Sequence, residues 1–240
     1  MEMINQPIIT LDVDWAPDFV IEYVADLLIA KKIKSTWFVT HDSPIWNKLL
    51  KNKLFELGLH PNFSENSSQG KDPDSILKYL KTIIPNAKSI RTHSLLQSSH
   101  LLLKFQKYGI ENDVSLNLEK TPNLVPHHSK FFNLFRFPFF WGDGHEMVEV
   151  NQNWSMNNSD YSLNGLKIFY FHPIHIFLNS KNWDKYNLLK NEVGLLNMNP
   201  ENSQDYINKE NGTCTLFNNI IQYLENKQSF TIQDLKKYYF

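Results

Sequence analysis

Short apolar runs and amphipathic helical segments alternate from one end of this chain to the other. The runs rich in β-branched and aromatic residues predict strands, and they lie at 7–14, 36–40, 54–59, 89–90, 110–113, 131–140 and 166–171. Between them, apolar residues recur at helical spacing, as in the segment from residue 18 to residue 34. This alternation predicts an α/β fold on a parallel sheet, either doubly wound or closed into a barrel.

One domain is expected over the whole range 1–240. No internal repeat or linker divides the chain, and a hydrophobic content of 42% is ample for one core. The Asn-rich segment 180–212 is weakly patterned and predicts a surface excursion with a helix or two. The segment 122–130 predicts an irregular insertion, in which His127 and His128 lie in a solvated loop.

Charge and cysteine content narrow the classes of partner. The net charge is −1, which gives no electrostatic case for binding nucleic acid or a membrane surface. Cys214 is the single cysteine, so no intramolecular disulfide forms and a reducing compartment fits. The apolar runs fall far short of the roughly 18 residues of a membrane span, and no signal segment is recognisable. We expect a soluble cytoplasmic protein, and the sequence gives no indication of its oligomeric state.

Two carboxylates, Asp12 and Asp14, stand where the first predicted strand ends. Residues at i and i+2 of a strand point to the same face, so the two side chains are expected side by side. Like charges that close repel unless a cation lies between them, which predicts a metal ion. An exposed Asx turn is the simpler alternative. A DxD triplet also holds a metal in nucleotide-sugar glycosyltransferases, where it normally follows a complete nucleotide-binding unit.

Polar residues also follow the other predicted strands. They are His41, His60, Arg91, His93, Asp113, Asp143, His172 and His175. The carboxyl ends of parallel strands meet at one edge, where α/β barrels build their active sites. One aspartate, two histidines and a water form a common ligand set for catalytic zinc or a similar divalent ion. A second carboxylate as base and a histidine as acid complete the chemistry of amide or ester hydrolysis.

Four short segments resemble the successive motifs of the polysaccharide deacetylases, the NodB-homology carbohydrate esterases. They are 10–14 (TLDVD), 56–60 (ELGLH), 91–93 (RTH) and 169–172 (FYFH), and the resemblance extends over about residues 7–178. Segments 59–63, 91–95 and 171–175 resemble a branch of this family from surface-polysaccharide gene clusters. The resemblance implies a distorted (β/α) barrel of about seven parallel strands. It also implies metal-dependent removal of an acyl group, usually acetyl, from an amino sugar.

The resemblance also implies roles for individual residues. Asp12 corresponds to the general base, Arg91 to the residue that positions it, and His172 to the general acid. Asp14 and His60 correspond to ligands of a divalent metal, for which zinc is the expected ion.

The third metal ligand departs from the family pattern. The family usually has a second histidine four residues after the first, where this chain has Ser64. We expect His93, which stands where the family usually has proline, to take its place because its strand lies beside that of His60.

Further residues are candidates for binding substrate. Trp141 at a strand end is a candidate for stacking on a sugar ring, although aromatic residues in such runs more often belong to the core. His41 and His175 are candidates for substrate contact, and Asp143 or Asp113 for orienting His172. The hypothesis is a deacetylase of an N-acetylated sugar in a nucleotide- or lipid-linked precursor. A glycosyltransferase and a non-catalytic sugar-binding relative are the alternatives.

Overall fold

The computed structural model describes residues 3–157 and 159–240 of the chain. In this described part, one sheet contains nine strands in the order β6-β7-β5-β4-β3-β2-β1-β9-β8. Their bounds are β1 Pro7–Asp12, β2 Ser35–Val39, β3 Phe55–Leu59, β4 Ser89–Ile90, β5 Asn112–Asp113, β6 His127–Ser129, β7 Leu134–Arg136, β8 Trp141–Gly142 and β9 Lys167–Phe171. Neighbouring strands are parallel except for the antiparallel pair β6 and β7.

Helices connect most of the parallel strands. Their bounds are α1 Asp18–Ala30, α2 Ile45–Leu50, α3 Pro73–Ile83, α4 Ser99–Lys107, α5 Asp143–Glu146, α6 Pro173–Leu178, α7 Asp184–Glu192, α8 Thr213–Leu224 and α9 Ile232–Tyr239. Two of the helix starts follow from capping residues that the sequence identifies. Ser98 Oγ accepts a hydrogen bond from Leu101 N at 3.2 Å, and Thr231 Oγ1 accepts one from Asp234 N at 3.1 Å.

The sheet curls into a half-barrel, which confirms the expected distorted barrel with nine strands in place of about seven. The segment 137–140 connects its two sides. Phe137 N donates to the Asp113 carbonyl at 2.9 Å, and Phe140 N donates to the Ile168 carbonyl of β9 at 2.8 Å. The expected single strand 131–140 is therefore wrong, because the chain leaves β7 after Arg136 and crosses towards β9. Pro138 has no N–H to donate to a sheet ladder, which suits this crossing.

The expected irregular insertion at 122–130 is corrected in part. His127, His128 and Ser129 form the edge strand β6, paired with β7, although both histidines remain exposed. The excursion at 180–212 contains α7 and the short 3₁₀ turns Leu195–Asn197 and Gln204–Tyr206.

Strand register brings the polar strand ends to one place. β1 is central and pairs with β2 and β9, with Leu11 opposite Phe171. Leu59 of β3 lies opposite Ile90 of β4. Because the residue after each of these strands is polar, His60, Arg91 and His172 emerge at the same edge as Asp12.

The apolar side chains form one core cluster around the sheet. It includes large side chains with no exposed surface, such as Trp37, Phe105 and Phe217. Among the described helices, none has both the length and the apolar character required to cross a bilayer.

Candidate active site

A cavity of about 290 Å³ opens at the carboxyl ends of the central strands. Its lining includes Asp12, Asp14, His60, His93 and His172, which are the five residues to which the sequence assigns the chemistry. It lies where α/β barrels place their active sites.

Asp14, His60 and His93 form a cluster with the chemistry of a metal site. One ligand atom from each lies within 4.8 Å of the others. Asp14 Oδ1 lies 3.1 Å from His60 Nε2 and 3.2 Å from His93 Nδ1. His60 Nδ1 lies 2.8 Å from the Arg91 carbonyl oxygen, to which it donates, so Nε2 is left free to face Asp14. A carboxylate and two imidazoles in this arrangement fit a divalent transition metal.

The turn after β1 brings Asp14 to this cluster. The strand ends at Asp12, and Asp14 and Trp15 then have φ of 42° and 56°. These values lie in the left-handed region, which aspartate tolerates better than tryptophan. Trp15 N donates to Thr40 Oγ1 at 3.1 Å, which holds the turn. Asp14 therefore reaches the cavity through a strained turn. The expectation that Asp14 lies beside Asp12 on one face of a continuous strand is wrong, because the strand ends at Asp12.

A buried arginine fixes Asp12. Arg91 is 0% exposed, and its Nη1 donates to Asp12 Oδ1 at 2.8 Å. Its Nη2 donates to Thr10 Oγ1 at 2.9 Å and its Nε to the Val114 carbonyl at 3.1 Å. The other oxygen of Asp12 lies 4.0 Å from His60 Nε2, beside the metal-ligand cluster. Asp12 thus presents one carboxylate oxygen to the cavity while Arg91 holds the other.

Asp143 orients His172 across the cavity. Asp143 Oδ1 lies 2.6 Å from His172 Nδ1, and Asp143 Oδ2 accepts from the His172 main-chain N–H at 2.7 Å. These contacts point His172 Nε2 at Asp14 Oδ2, 3.4 Å away. Burial lowers the pKa of His172, but the charges and hydrogen bonds of Asp143 and Asp14 outweigh it and raise this pKa well above its usual value. These contacts favour the protonated form of His172.

The same contacts shift the other groups of the cluster. Burial alone would raise the pKa of Asp14, but hydrogen bonds from His172, His60 and His93 hold it well below its usual value. Burial opposes protonation of His93, yet Asp14 raises the pKa of this imidazole. A cation that replaces these protons would meet an ionised carboxylate, which is the form that binds metals.

Two predicted residues lie outside the cavity. Trp141 is 0% exposed, and its Nε1 donates to Glu146 Oε2 at 2.9 Å, so stacking on a sugar is excluded by its burial in the core. Asp113 does not orient His172, because it is paired with Arg136 Nε at 2.8 Å.

The other candidates also lie apart from the cavity lining. His41 Nδ1 contacts Thr40 Oγ1 at 2.9 Å, and its ring packs against Trp46. His175 is buried behind His172, with its Nδ1 3.1 Å from Ser180 Oγ. Ser64 is exposed in the loop after His60 and is absent from the cavity lining.

Seven further residues line the cavity that the sequence did not single out as site residues. They are Thr92, Ser94, Leu95, Gly144, His145, Tyr170 and Trp183. The only sequence signal for His145 and Tyr170 is that they neighbour Asp143 and His172. Trp183 directly precedes α7 in the weakly patterned segment, where no pattern indicated a site.

The chain is similar to known polysaccharide deacetylases. The family model described as WbmS-like polysaccharide deacetylase matches residues 9–190. A crystal structure from Bordetella bronchiseptica, of a protein assigned as a polysaccharide deacetylase involved in O-antigen biosynthesis, is 26% identical with a TM-score of 0.83. The match covers 92% of this chain and 91% of that one.

A second structure is similar in fold alone. It is a 4-α-glucanotransferase from Thermococcus litoralis, 10% identical with a TM-score of 0.54, and the match covers 98% of this chain and 38% of that one. Comparison with functionally curated proteins finds no match.

Proposed function

Because this chain belongs to the WbmS-like polysaccharide deacetylase family, we propose that it is a metal-dependent hydrolase that removes an acetyl group from an N-acetylated sugar. The observation that carries this proposal is the convergence of Asp14, His60 and His93, with Asp12 on one side and His172 on the other. The whole chain, 1–240, acts as one catalytic domain in this proposal.

Asp14, His60 and His93 would hold the metal, and zinc suits this donor set. The fit rests on the mutual distances of their ligand atoms and on the free Nε2 of His60. A divalent cation held there supplies Lewis acidity, which polarises an acyl carbonyl and makes a water molecule more acidic.

Asp12 takes the proton of the attacking water in this mechanism. Its free oxygen faces the ligand cluster, and its other oxygen is held by Arg91. The bond from Arg91 fixes the direction of the carboxylate, so that a water between Asp12 and the acyl carbon lies within reach of a base.

His172 gives its proton to the departing amine. Burial lowers the pKa of His172, but Asp143 and Asp14 outweigh it and raise this pKa, which favours the protonated imidazole that an acid needs. Contact with His172 outweighs burial and lowers the pKa of Asp143, so Asp143 favours its ionised form beside the acid. The base and the acid are therefore held by separate partners, Arg91 and Asp143.

The relative from Bordetella bronchiseptica is described as involved in O-antigen biosynthesis, which suggests the class of substrate. We propose a nucleotide- or lipid-linked amino-sugar precursor of a surface polysaccharide, processed in the cytoplasm.

Acetate release tests the proposal. The zinc-loaded protein is incubated with N-acetylglucosamine, N-acetylgalactosamine and their uridine-diphosphate conjugates, and acetate is measured. Asp12→Asn is expected to lower the rate by about 10²–10⁴ while zinc content stays unchanged. Ser64→Ala is the matched control and should behave as wild type, because Ser64 lies outside the cavity. Full activity in Asp12→Asn would contradict the role of the base, and transfer of sugar from the conjugate would indicate a glycosyltransferase.

A further inference from the structure

Tyr170 presents a hydroxyl group that the proposed mechanism does not use. The residue lines the cavity next to His172, with ring centroids 5.6 Å apart, and it is only 6% exposed. Within residues 3–157 and 159–240, its hydroxyl has no hydrogen-bond partner. The hydroxyl is not among the fully buried polar atoms that lack a partner, so it is accessible from the cavity and can meet a ligand there.

The ring of Tyr170 is fixed by close neighbours. A Cβ atom at Gly142 would lie 1.9 Å from the ring, so this position has to be glycine for the ring to sit where it does. Phe139 packs edge-on against the ring at 4.8 Å, and the Arg91 guanidinium lies 5.2 Å from its centre. The hydroxyl is thus held in one direction before any ligand arrives, which lowers the entropic cost of binding.

The hydroxyl stays protonated in the working pH range. Burial raises the pKa of Tyr170 far above its usual value, and the carboxylates of Asp143 and Asp12 act in the same direction. The group therefore donates a hydrogen bond to a ligand and does not act as a base.

Two other residues surround the same part of the cavity. His145 Nδ1 lies 3.3 Å from Glu119 Oε2, which leaves its second ring nitrogen for a ligand. The position of a Cβ at Gly144 would lie 3.6 Å from the Trp183 ring and 3.8 Å from the Tyr170 hydroxyl. An aromatic face and two polar groups therefore border the cavity beside Gly144.

We propose that Gly144, His145, Tyr170 and Trp183 form the subsite that holds the sugar ring of the substrate, with the Tyr170 hydroxyl donating to a sugar hydroxyl. This inference rests on the proposed function. Aromatic walls with a few fixed polar groups are typical of small-molecule sites. The cavity, about 290 Å³, lies just below the range of about 300–1,000 Å³ for ligand pockets, a size that suits one sugar ring inside it.

Tyr170→Phe tests the subsite, with Tyr161→Phe as a matched control. Tyr161 is also buried, and its hydroxyl is unpaired in the described part of the chain, but it lies outside the cavity lining. Two quantities are measured on the zinc-loaded proteins. One is the Kd of the four N-acetyl sugars named above, by NMR titration in the Asp12→Asn background, so that the sugar is not hydrolysed during the titration. The other is hydrolysis of those sugars and of 4-nitrophenyl acetate, which has no sugar hydroxyl.

Tyr170→Phe is expected to raise Kd and KM for the sugar by about tenfold, the effect of one hydrogen bond, with kcat close to wild type. Hydrolysis of 4-nitrophenyl acetate should not change, and Tyr161→Phe should match wild type throughout. Gly144→Leu, which places a larger side chain against the Trp183 ring and the Tyr170 hydroxyl, should abolish sugar binding.

Three outcomes would each overturn the subsite. The first is an unchanged sugar affinity in Tyr170→Phe, and the second is an equal loss of activity on the sugar and on the ester. The third is a wild-type protein that binds none of the sugars. A wild-type protein that binds sugar but hydrolyses neither compound would instead contradict the proposed hydrolase, and sugar binding by Tyr170→Phe would still decide the subsite.

Discussion

Arg91 connects the candidate base to the candidate metal ligands at the scale of single residues. Its side chain donates to Asp12 and Thr10 on β1, and its carbonyl oxygen accepts from His60 Nδ1. Removal of one partner of a buried ion pair leaves an uncompensated charge. Arg91→Met is therefore expected to lower the free energy of unfolding by about 3–5 kcal/mol, measured by urea denaturation.

The double variant Arg91→Met/Asp12→Asn is the control for this prediction. It leaves no unpaired carboxylate, so part of the lost stability should return. A double variant less stable than Arg91→Met alone would contradict the view that the Asp12 charge is what Arg91 compensates.

The pH profile of activity should depend on Asp143. The proposed acid works only while His172 is protonated, so activity falls as pH rises through its pKa. Asp143→Asn removes the largest influence that raises this pKa, so the alkaline limb of kcat/KM should move to lower pH. The measurement is kcat/KM between pH 5 and pH 10 on the sugar that wild type hydrolyses fastest. An unmoved alkaline limb would mean that another group supplies the proton.

Single residues show how far sequence reasoning reaches. The rule that parallel strands end at one edge predicts that Asp14, His60 and His93 lie close together, and the resemblance to the deacetylases identifies Asp14 and His60 as expected metal ligands. Trp141 and Trp183 show the limit. Both are tryptophans near strand or helix ends, but burial of one and exposure of the other to the cavity depend on tertiary packing.

At the scale of elements, β3 requires a glycine to lie between its neighbours. A Cβ at Gly58 would lie 2.7 Å from the Ser89 carbonyl oxygen and 2.9 Å from the Phe38 ring. Gly58→Ala is expected to cost about 1–3 kcal/mol in the free energy of unfolding, because backbone and core must move apart. Gly144→Ala is the control, because the methyl group of the alanine would lie at ordinary van der Waals distances from its neighbours. Equal stability of the two variants in urea would contradict this packing.

Helix α6 carries a buried histidine that makes the fold sensitive to acid. Burial lowers the pKa of His175 to about 4 in the folded protein. The unfolded chain takes up this proton near pH 6.5, as unperturbed histidine does at about that value. Between the two pKa values the unfolded state binds more protons, so stability falls as pH falls, by up to about 1.4 kcal/mol per unit.

His175→Gln tests this effect. Glutamine does not titrate, so the free energy of unfolding of the variant should fall less steeply than that of wild type between pH 6.5 and pH 4.5. Identical slopes from urea unfolding at several pH values would exclude His175 as the acid-sensitive group.

The alternation of strands and helices was predictable from the sequence, but the structure of two segments, 122–130 and 131–140, was not. Periodicity and capping residues identify α4 and α9, whose starts depend on contacts within one turn. The aromatic run 131–140 was misassigned because its residues suit a strand equally well as a crossing between strands. The hydrogen bond from Phe140 N to Ile168 decides its path, and that contact is distant in sequence.

At the scale of the whole molecule, the two ends of the sheet serve different functions. One end carries the cavity, while α9 lies against the other end. Gln233 N donates to Glu56 Oε2 at 2.9 Å, and Lys34 Nζ pairs with Asp234 Oδ2 at 2.9 Å. The contacts of α9 thus stabilise the end of the sheet opposite the cavity. In barrels, stabilising contacts and the active site are typically placed at opposite ends in this way.

A crystal structure of the zinc-loaded protein, with anomalous scattering at the zinc edge, tests the central claim most directly. We predict one zinc ion per chain, about 2.0–2.2 Å from His60 Nε2, His93 Nδ1 and a carboxylate oxygen of Asp14. His93→Ala should lose this peak under the same conditions, whereas Ser64→Ala should retain it. A protein with no zinc at these residues, or one that holds zinc there equally well without His93, would contradict the account.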